Sequence, residues 1–238
     1  MITILMPVFN EENRLRPGLD AIFAFTKTYS EPTEVLLVDD GSWDKTPEIL
    51  EEYKKKFPLK VVTQKTNQGK GAAIRTGIKA AEGEKILFTD IDLSVPIEFL
   101  DSFNVAMTSD IDIIIGSREH PQSEIPVKQH WLRELGGYSF TILTNSILQV
   151  GATDFTCGFK LFRKEAARKI FSKQLINRWS FDAETLFLAK KYDFKIKEMP
   201  VVWKHNDGSK VKFPQDLIES FFSLLKIRIN DWMGKYEY

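Results

Sequence analysis

The chain repeats one local grammar, a short apolar run that leads into a polar loop and then into a segment of helical spacing. The runs are Ile2 to Met6, Val35 to Val38, Leu59 to Thr63, Lys85 to Thr89 and Ile111 to Ile115. Each reads as a strand, and Ile86, Leu87 and Phe88 of the fourth, too few for a helix core, read as a strand buried on both faces. Between them lie helices: Leu15, Leu19, Ile22, Phe23 and Phe25 at helical intervals, a segment opened by Thr46-Pro47-Glu48 and ending near Phe57-Pro58, and a small-residue stretch from Ala72 to Ala81 stopped by Gly83. Strands alternating with helices predict an α/β fold, a mostly parallel sheet with helices on both faces. Ligands of such sheets bind in the crevice outside the carboxyl ends of the strands, so the exit loops are where chemistry is expected.

The fourth exit loop is the most telling. In KILFTDIDLSVP, Lys85 to Pro96, the strand delivers Asp90 and Asp92, and Ser94 and Pro96 resemble a side-chain cap and first-turn proline of the next helix. Two hard oxygen ligands one residue apart suit Mg²⁺ or Mn²⁺, with water and substrate phosphates completing the shell. The same tripeptide recurs at Asp110-Ile111-Asp112, but it enters a strand and so falls at the opposite edge. The other exit loops carry Asp39-Asp40-Gly41-Ser42, Asn67-Gln68-Gly69-Lys70-Gly71 and Gly116-Ser117-Arg118. NQGKGAAI, Asn67 to Ile74, opens a helix whose free N–H groups can hold an anion. It falls one glycine short of the dinucleotide fingerprint, with Ile74 in its place, and no Walker pattern is present. A nucleotide diphosphate suits the whole inventory, with a carboxylate for a base or ribose hydroxyl, amides for the nucleoside and a metal on Asp92 bridging the phosphates.

Basic and acidic residues balance at 33 each, so no global field draws the chain to nucleic acid. The single cysteine, Cys157, excludes an intrachain disulfide and fits a reducing compartment. MITILMPVFNEE lacks a basic start and a cleavage site, so it reads as a first strand and not as a signal peptide. After Arg118 the rhythm breaks. A loop, Glu119 to Val127, precedes a long helical stretch, Lys128 to Val150; DFTCGFKLFR is loop and strand, Phe181 to Lys191 a helix and Lys195 to Trp203 a strand. A last helix, about Pro214 to Asn230, sets Leu217, Ile218, Phe221, Phe222, Leu224, Leu225 and Ile227 beside Lys226 and Arg228, which suits a membrane interface, packing on the domain or a homodimer contact.

MPVFNEE, VDDGS-x-D-x-T, NQGKGAAIRTGI, TDIDLSVP, GSR, DFTCGFKLF and SFDAETLFLAKK followed by EMPVVW stand in the order and spacing of family 2 glycosyltransferases of GT-A fold. The chain most resembles the branch that glucosylates dolichyl phosphate, with the polyprenyl-phosphate mannosyltransferases close by, over roughly Ile2 to Val211. The resemblance implies a catalytic domain over residues 1–212, and the residue pattern beyond it predicts an amphipathic helical tail over 213–238. It implies that Pro7, Val8, Asn10, Glu11 and the loop of Asp39, Asp40 and Gly41 frame the nucleoside, that Asn67 and Lys70 flank it, and that Asp90 and Asp92 are the metal-binding D-x-D. Many relatives read D-A-D-L there; Ile91 is the departure, and Ser94 stands where some mannosyl relatives offer a glutamine ligand. Asp154 and Asp182 fall near sugar and acceptor in the family pattern.

Inverting transfer of a hexose from a nucleotide diphosphate sugar to a polyprenyl or dolichyl phosphate follows as the expected reaction. The resemblance favours UDP-glucose; transfer from GDP-mannose, transfer to a sugar or protein hydroxyl, and a silent nucleotide-sugar binding module are the alternatives. A phosphate monoester has its second pKa at about 6 and is already anionic, so it needs no strong base. A hydroxyl acceptor would need one, from Asp182 or Asp154. Positive charge is needed to hold one phosphate near another, for which Arg118, Lys128 and Arg133 are candidates, with Lys160 and Lys210 behind them. The expected location is cytoplasmic, peripheral on the membrane.

Overall fold

The computed structural model describes residues 1–127, 131–205 and 215–237, with side chains for all of these but 131–133 and 215–218. In chain order the elements that build the sheet side of the site are β1 (Ile2–Val8), α1 (Leu15–Thr28), β2 (Thr33–Asp39), α2 (Thr46–Lys56), β3 (Leu59–Thr63), α3 (Lys70–Ala80) and β4 (Lys85–Thr89). There follow α4 (Phe99–Ala106), β5 (Ile113–Ser117), β6 (Glu124–Val127), α5 (Trp131–Leu148), β7 (Phe159–Arg163), α6 (Lys164–Lys173), α7 (Phe181–Lys191), β8 (Ile196–Pro200), β9 (Val202–Lys204) and α8 (Gln215–Trp232).

The main sheet runs in the order β3-β2-β1-β4-β7-β5-β8, and β6 pairs with β9 in a small second sheet. Every pairing in the main sheet is parallel except those of β7, which runs antiparallel to both β4 and β5. The reversal matters for the site. A parallel strand brings its carboxyl end to the crevice, whereas β7 brings its amino end there, with Phe159 opposite Thr89. The loop before β7 therefore lies among the exit loops of the first half.

Alternation along the strands divides the core in two. Leu5 of β1 and Leu36 and Val38 of β2 face the cluster built with α3, α5, α6, α7 and α8, while Ile4, Met6, Val35 and Leu37 face the one built with α1, α2 and α4. The central strands β1 and β5 are buried along almost their whole length because both faces are covered, whereas the edge strands β3 and β8 carry Lys60, Lys197 and Glu198 at half-buried or exposed positions.

Several local expectations are corrected. Ser94 and Pro96 do not open a helix: α4 begins at Phe99, and the Ser94 N–H is taken by Asp92 Oδ1 at 3.0 Å, so 90–98 stays a loop that holds the acidic pair. Glu119 to Val127 is not all loop, since Glu124–Val127 pairs with β9. The expected strand Lys195 to Trp203 is two, divided at buried Val201. Lys164–Lys173 is a helix that no motif announced, although Ala166, Ala167, Ile170 and Phe171 are its buried stripe.

The C-terminal segment joins the main core. Leu224, Ile227 and Tyr236 are fully buried in the α3–α6–α7 cluster, and the Tyr236 hydroxyl donates to Glu184 Oε1 at 2.5 Å. Removing that ring leaves a void at the centre of the packing. Tyr236→Ala is expected to lower the unfolding free energy by about 3–5 kcal/mol. Tyr236→Phe, which only strips the donor from a buried carboxylate, should cost about 1–3 kcal/mol, both read from urea midpoints.

Candidate active site at the strand carboxyl ends

Three exit loops are laced together by side-chain to backbone bonds. Asn10, in the left-handed region at φ 50, accepts the Trp43 N–H on Oδ1 at 3.0 Å and donates its own N–H to Ser42 Oγ at 2.9 Å. Glu11 N–H donates to Thr46 Oγ1, and Asp39 Oδ1 accepts from the Ser42 N–H. Asp40 reaches the next loop, taking the N–H groups of Gln68 and Gly69 at 2.8 Å each. Gly41 has φ 75, and a Cβ there would stand 2.8 Å from the Thr66 carbonyl carbon, so only glycine lets the two loops meet. Beside them a cleft of about 310 Å³ is lined by Asp39, Gly41, Ser42, Val61, Gln64 and Lys65. Pro7 and Val8 end β1; Val8 is a core residue below the cleft and not part of its lining, while Asn67 is exposed at its rim.

The D-x-D lies farther along the same edge. Asp90 Oδ1 is 2.6 Å from Lys70 Nζ, and Asp92 Oδ2 is 3.3 Å from Arg14 Nη1, whose Nε and Nη2 hold Glu11 in a fork. Two glycines make this placement possible. A Cβ on Gly158 would stand 2.1 Å from Asp90 Oδ2, and one on Gly18 would stand 2.2 Å from the Ile91 carbonyl oxygen. The acidic loop is thus clamped between α1 and the segment before β7. Asp110 and Asp112 do nothing comparable: Asp110 accepts the Thr108 hydroxyl and Asp112 the Lys195 N–H at the opposite edge.

A second layer of charge lies beneath. Lys160 is 1 % exposed, with its ammonium 2.6 Å from both Asp182 Oδ1 and the Cys157 carbonyl. It shares the Phe88 ring with Lys70, at 5.8 and 5.2 Å from the centroid. Burial raises the Asp182 pKa above the ordinary aspartate value, and Lys160 and Lys70 only partly offset it. Burial likewise opposes the Lys70 ammonium, but Asp90, Asp182 and Asp92 outweigh it and raise its pKa. Asp40 is raised by burial against its two backbone donors.

Asp154 is saturated: Arg118 grips it through Nε, Nη2 and its own N–H, and the N–H groups of Thr156 and Cys157 complete the set. Against the cost of burial, Arg118 brings its pKa down to about 2. Arg118 itself also donates to the Thr156 hydroxyl and lies 5.4 Å from the Trp203 ring. Lys128 and Lys210 lie outside the described residues, and the Arg133 side chain outside the described side chains. Arg14 and Gly18 lie in none of the motifs, and Gly158, inside DFTCGFKLF, carries no local mark of the carboxylate it meets.

The donor chemistry fits a divalent cation of the Mg²⁺ or Mn²⁺ kind. Among the described residues no three His, Cys, Asp or Glu side chains gather into a metal cluster. Two partly exposed carboxylates, already drawing an ammonium and a guanidinium, are the hard oxygen pair a cation would share with phosphate and water.

Residues 3–171 match Glycosyl transferase family 2. The chain belongs to that family. It is 34 % identical over 249 residues to the dolichyl-phosphate beta-glucosyltransferase of Homo sapiens, spanning 99 % of this chain and 77 % of the relative. The Dictyostelium discoideum protein of the same name is 32 % identical over 98 % of this chain and 75 % of its own length. Glucosyl-3-phosphoglycerate synthase of Mycobacterium tuberculosis, solved with Mn²⁺, UDP-glucose and phosphoglyceric acid, superposes with a TM-score of 0.65 at 15 % identity, over 97 % of this chain and 79 % of that one. A Pyrobaculum calidifontis mannosyltransferase solved with GDP-mannose and Mn²⁺ gives 0.58 at 19 % identity, over 88 % and 57 %. The GT-A fold implied by the motifs is the one found, and this family 2 chain is a glycosyltransferase.

Two outcomes follow for the enzyme. Gly158→Ala forces the Asp90 carboxylate aside and should cut kcat/KM about 10–100-fold, the scale of an ångström displacement at a reacting centre. Asp154 titrates near 2 when folded against an ordinary 3.8, so its contribution of about 2 kcal/mol is present above about pH 4 and lost as pH falls towards 2. Urea titrations from pH 5 to 2 should show a flatter fall in stability for Asp154→Asn than for the wild type.

Proposed function

We propose that this glycosyltransferase moves glucose from UDP-glucose onto dolichyl phosphate or a related polyprenyl phosphate at a membrane surface, with inversion and with Mg²⁺ or Mn²⁺. The near full-length likeness to dolichyl-phosphate beta-glucosyltransferases carries this reading. The nucleoside takes the cleft beside Asp39, Asp40 and Gly41, and the diphosphate lies towards Asp90 and Asp92. When bound there, the cation supplies Lewis-acid stabilisation of the departing diphosphate.

The chain's own residues do the rest. Lys70 stands beside Asp90 and turns its ammonium to the departing diphosphate as negative charge grows there. Asp182, fixed by Lys160 in a dry layer, presents a carboxylate to the sugar at a set position. Asp154 orients Arg118 towards the acceptor and takes no proton, since its own bonds hold it ionised. The acceptor phosphate is its own nucleophile.

The outer face of the molecule suits a lipid-borne acceptor. Leu135, Tyr138 and Ile142 on α5 and Phe222, Leu225, Ile229 and Trp232 on α8 are exposed, and α5 and α8 are joined where Arg228 donates to the Ile147 carbonyl. Such a band beside Lys226 is the composition of an interfacial surface. Among the described residues no helix is long and apolar enough to cross a membrane.

With labelled UDP-glucose, Mn²⁺ and polyprenyl phosphate in vesicles, label should enter the organic phase. Asp92→Asn should reduce the rate by about 100-fold or more with an unchanged melting temperature. Label found only in water-soluble glycosides would replace the lipid acceptor by a hydroxyl one, and an undiminished Asp92→Asn rate would remove the metal from the scheme.

A further inference from the structure

The cations named so far around the D-x-D are already matched. Lys70 pairs with Asp90, Arg14 with Glu11 and Asp92, Arg118 with Asp154 and Lys160 with Asp182, so the acidic charge of the site offsets each of them. A site that brings two phosphate-bearing substrates together needs positive charge beyond such neutral pairs.

Arg178 supplies it from a loop that no motif marked. Residues 174–180 join α6 to α7 and lie over the start of α3. Asn177 O accepts the N–H groups of Gly71 and Ala72, at 2.8 and 3.3 Å, and Arg75 donates to Asn177 Oδ1 and Gln174 O. From below, Glu184 takes the N–H groups of Leu175 and Ile176 at 3.0 and 2.7 Å, with the Tyr236 hydroxyl behind it. The loop is therefore a fixed platform.

Arg178 stands on it against the nucleotide loop. A Cβ on Gly69 would be 3.0 Å from Arg178 Cγ and 2.5 Å from Asn177 O, so the glycine at φ 104 is what lets the arginine stem lie across this loop. Asp40 is close enough for the guanidinium to pull its pKa down against burial, yet Asp40 spends its oxygens on Gln68 and Gly69. Arg178 is exposed, and among the described residues its guanidinium makes no hydrogen bond or ion pair. A long charged side chain on a rigid loop, packed across the Gly69 loop and four residues before Asp182 in the chain, has the placement of an anion clamp.

We propose that Arg178 is a phosphate-binding residue at this edge of the sheet, donating to a phosphate oxygen of the nucleotide diphosphate or of the acceptor. This rests on the transfer reaction proposed above. It does not rest on which of the two phosphates is held.

Arg178→Gln and Arg178→Lys test it in the full chain. UDP affinity with Mn²⁺ and no acceptor, by calorimetry, reads the donor; the KM for polyprenyl phosphate reads the acceptor. A loss of about tenfold or more in the first for Arg178→Gln assigns the donor diphosphate, and the same loss in the second alone assigns the acceptor. Arg178→Lys should recover part of either loss, because it keeps the charge and gives up the fork. Both readings within twofold of wild type overturn the proposal. So does a drop in melting temperature beyond about 5 °C, which would make Arg178 a structural residue. A wild-type protein that binds no UDP and transfers no label refutes the parent reaction, a result distinct from either.

Discussion

Carboxylates crowd one edge of this sheet, and the fold depends on each being matched. Asp39, Asp40, Asp154 and Asp182 are buried, and a buried charge without partners would cost several kcal/mol. Asp39 and Asp40 are held by backbone N–H groups, Asp154 by a guanidinium fork and Asp182 by an ammonium that is itself out of water. What is left partly exposed is the pair Asp90 and Asp92, paired with Lys70 and Arg14.

The antiparallel strand β7 is the device that brings the second half of the chain to this edge. In a fully parallel sheet, the loop before a strand lies at the far side from the crevice. Reversing β7 places Asp154, Cys157, Gly158 and Lys160 next to Asp90 and Arg118. Gly158 then has to lack a side chain, because the Asp90 carboxylate fills the space where one would be. Chemistry and packing meet at a single hydrogen atom.

Helix α8 serves two environments at once. Leu224 and Ile227 close the core beneath α7, while Phe222, Ile229 and Trp232 stay in solvent on the other side. The same segment ends in Tyr236, which braces Glu184 and through it the loop that carries Arg178. The exposed apolar side of α8 is thereby joined by hydrogen bonds to the loop that carries Arg178.

The strand-loop-helix rhythm, the polar exit loops and the position of the first D-x-D were all legible in the chain, because they depend on periodicity and on neighbours a few residues apart. So was the weakness of Asp110 and Asp112, which precede their strand. The sequence also determined the family, through ordered motifs spread over most of its length. Only the tertiary structure decided the partners: that Arg14 meets Asp92 across 78 positions, that Asp154 is consumed by Arg118, and that Gly158 shapes the seat of Asp90. Those pairings rest on the reversed direction of β7 and on close approaches between distant segments. Strand direction and such contacts arise from burial summed over the whole sheet, and no local pattern encodes them.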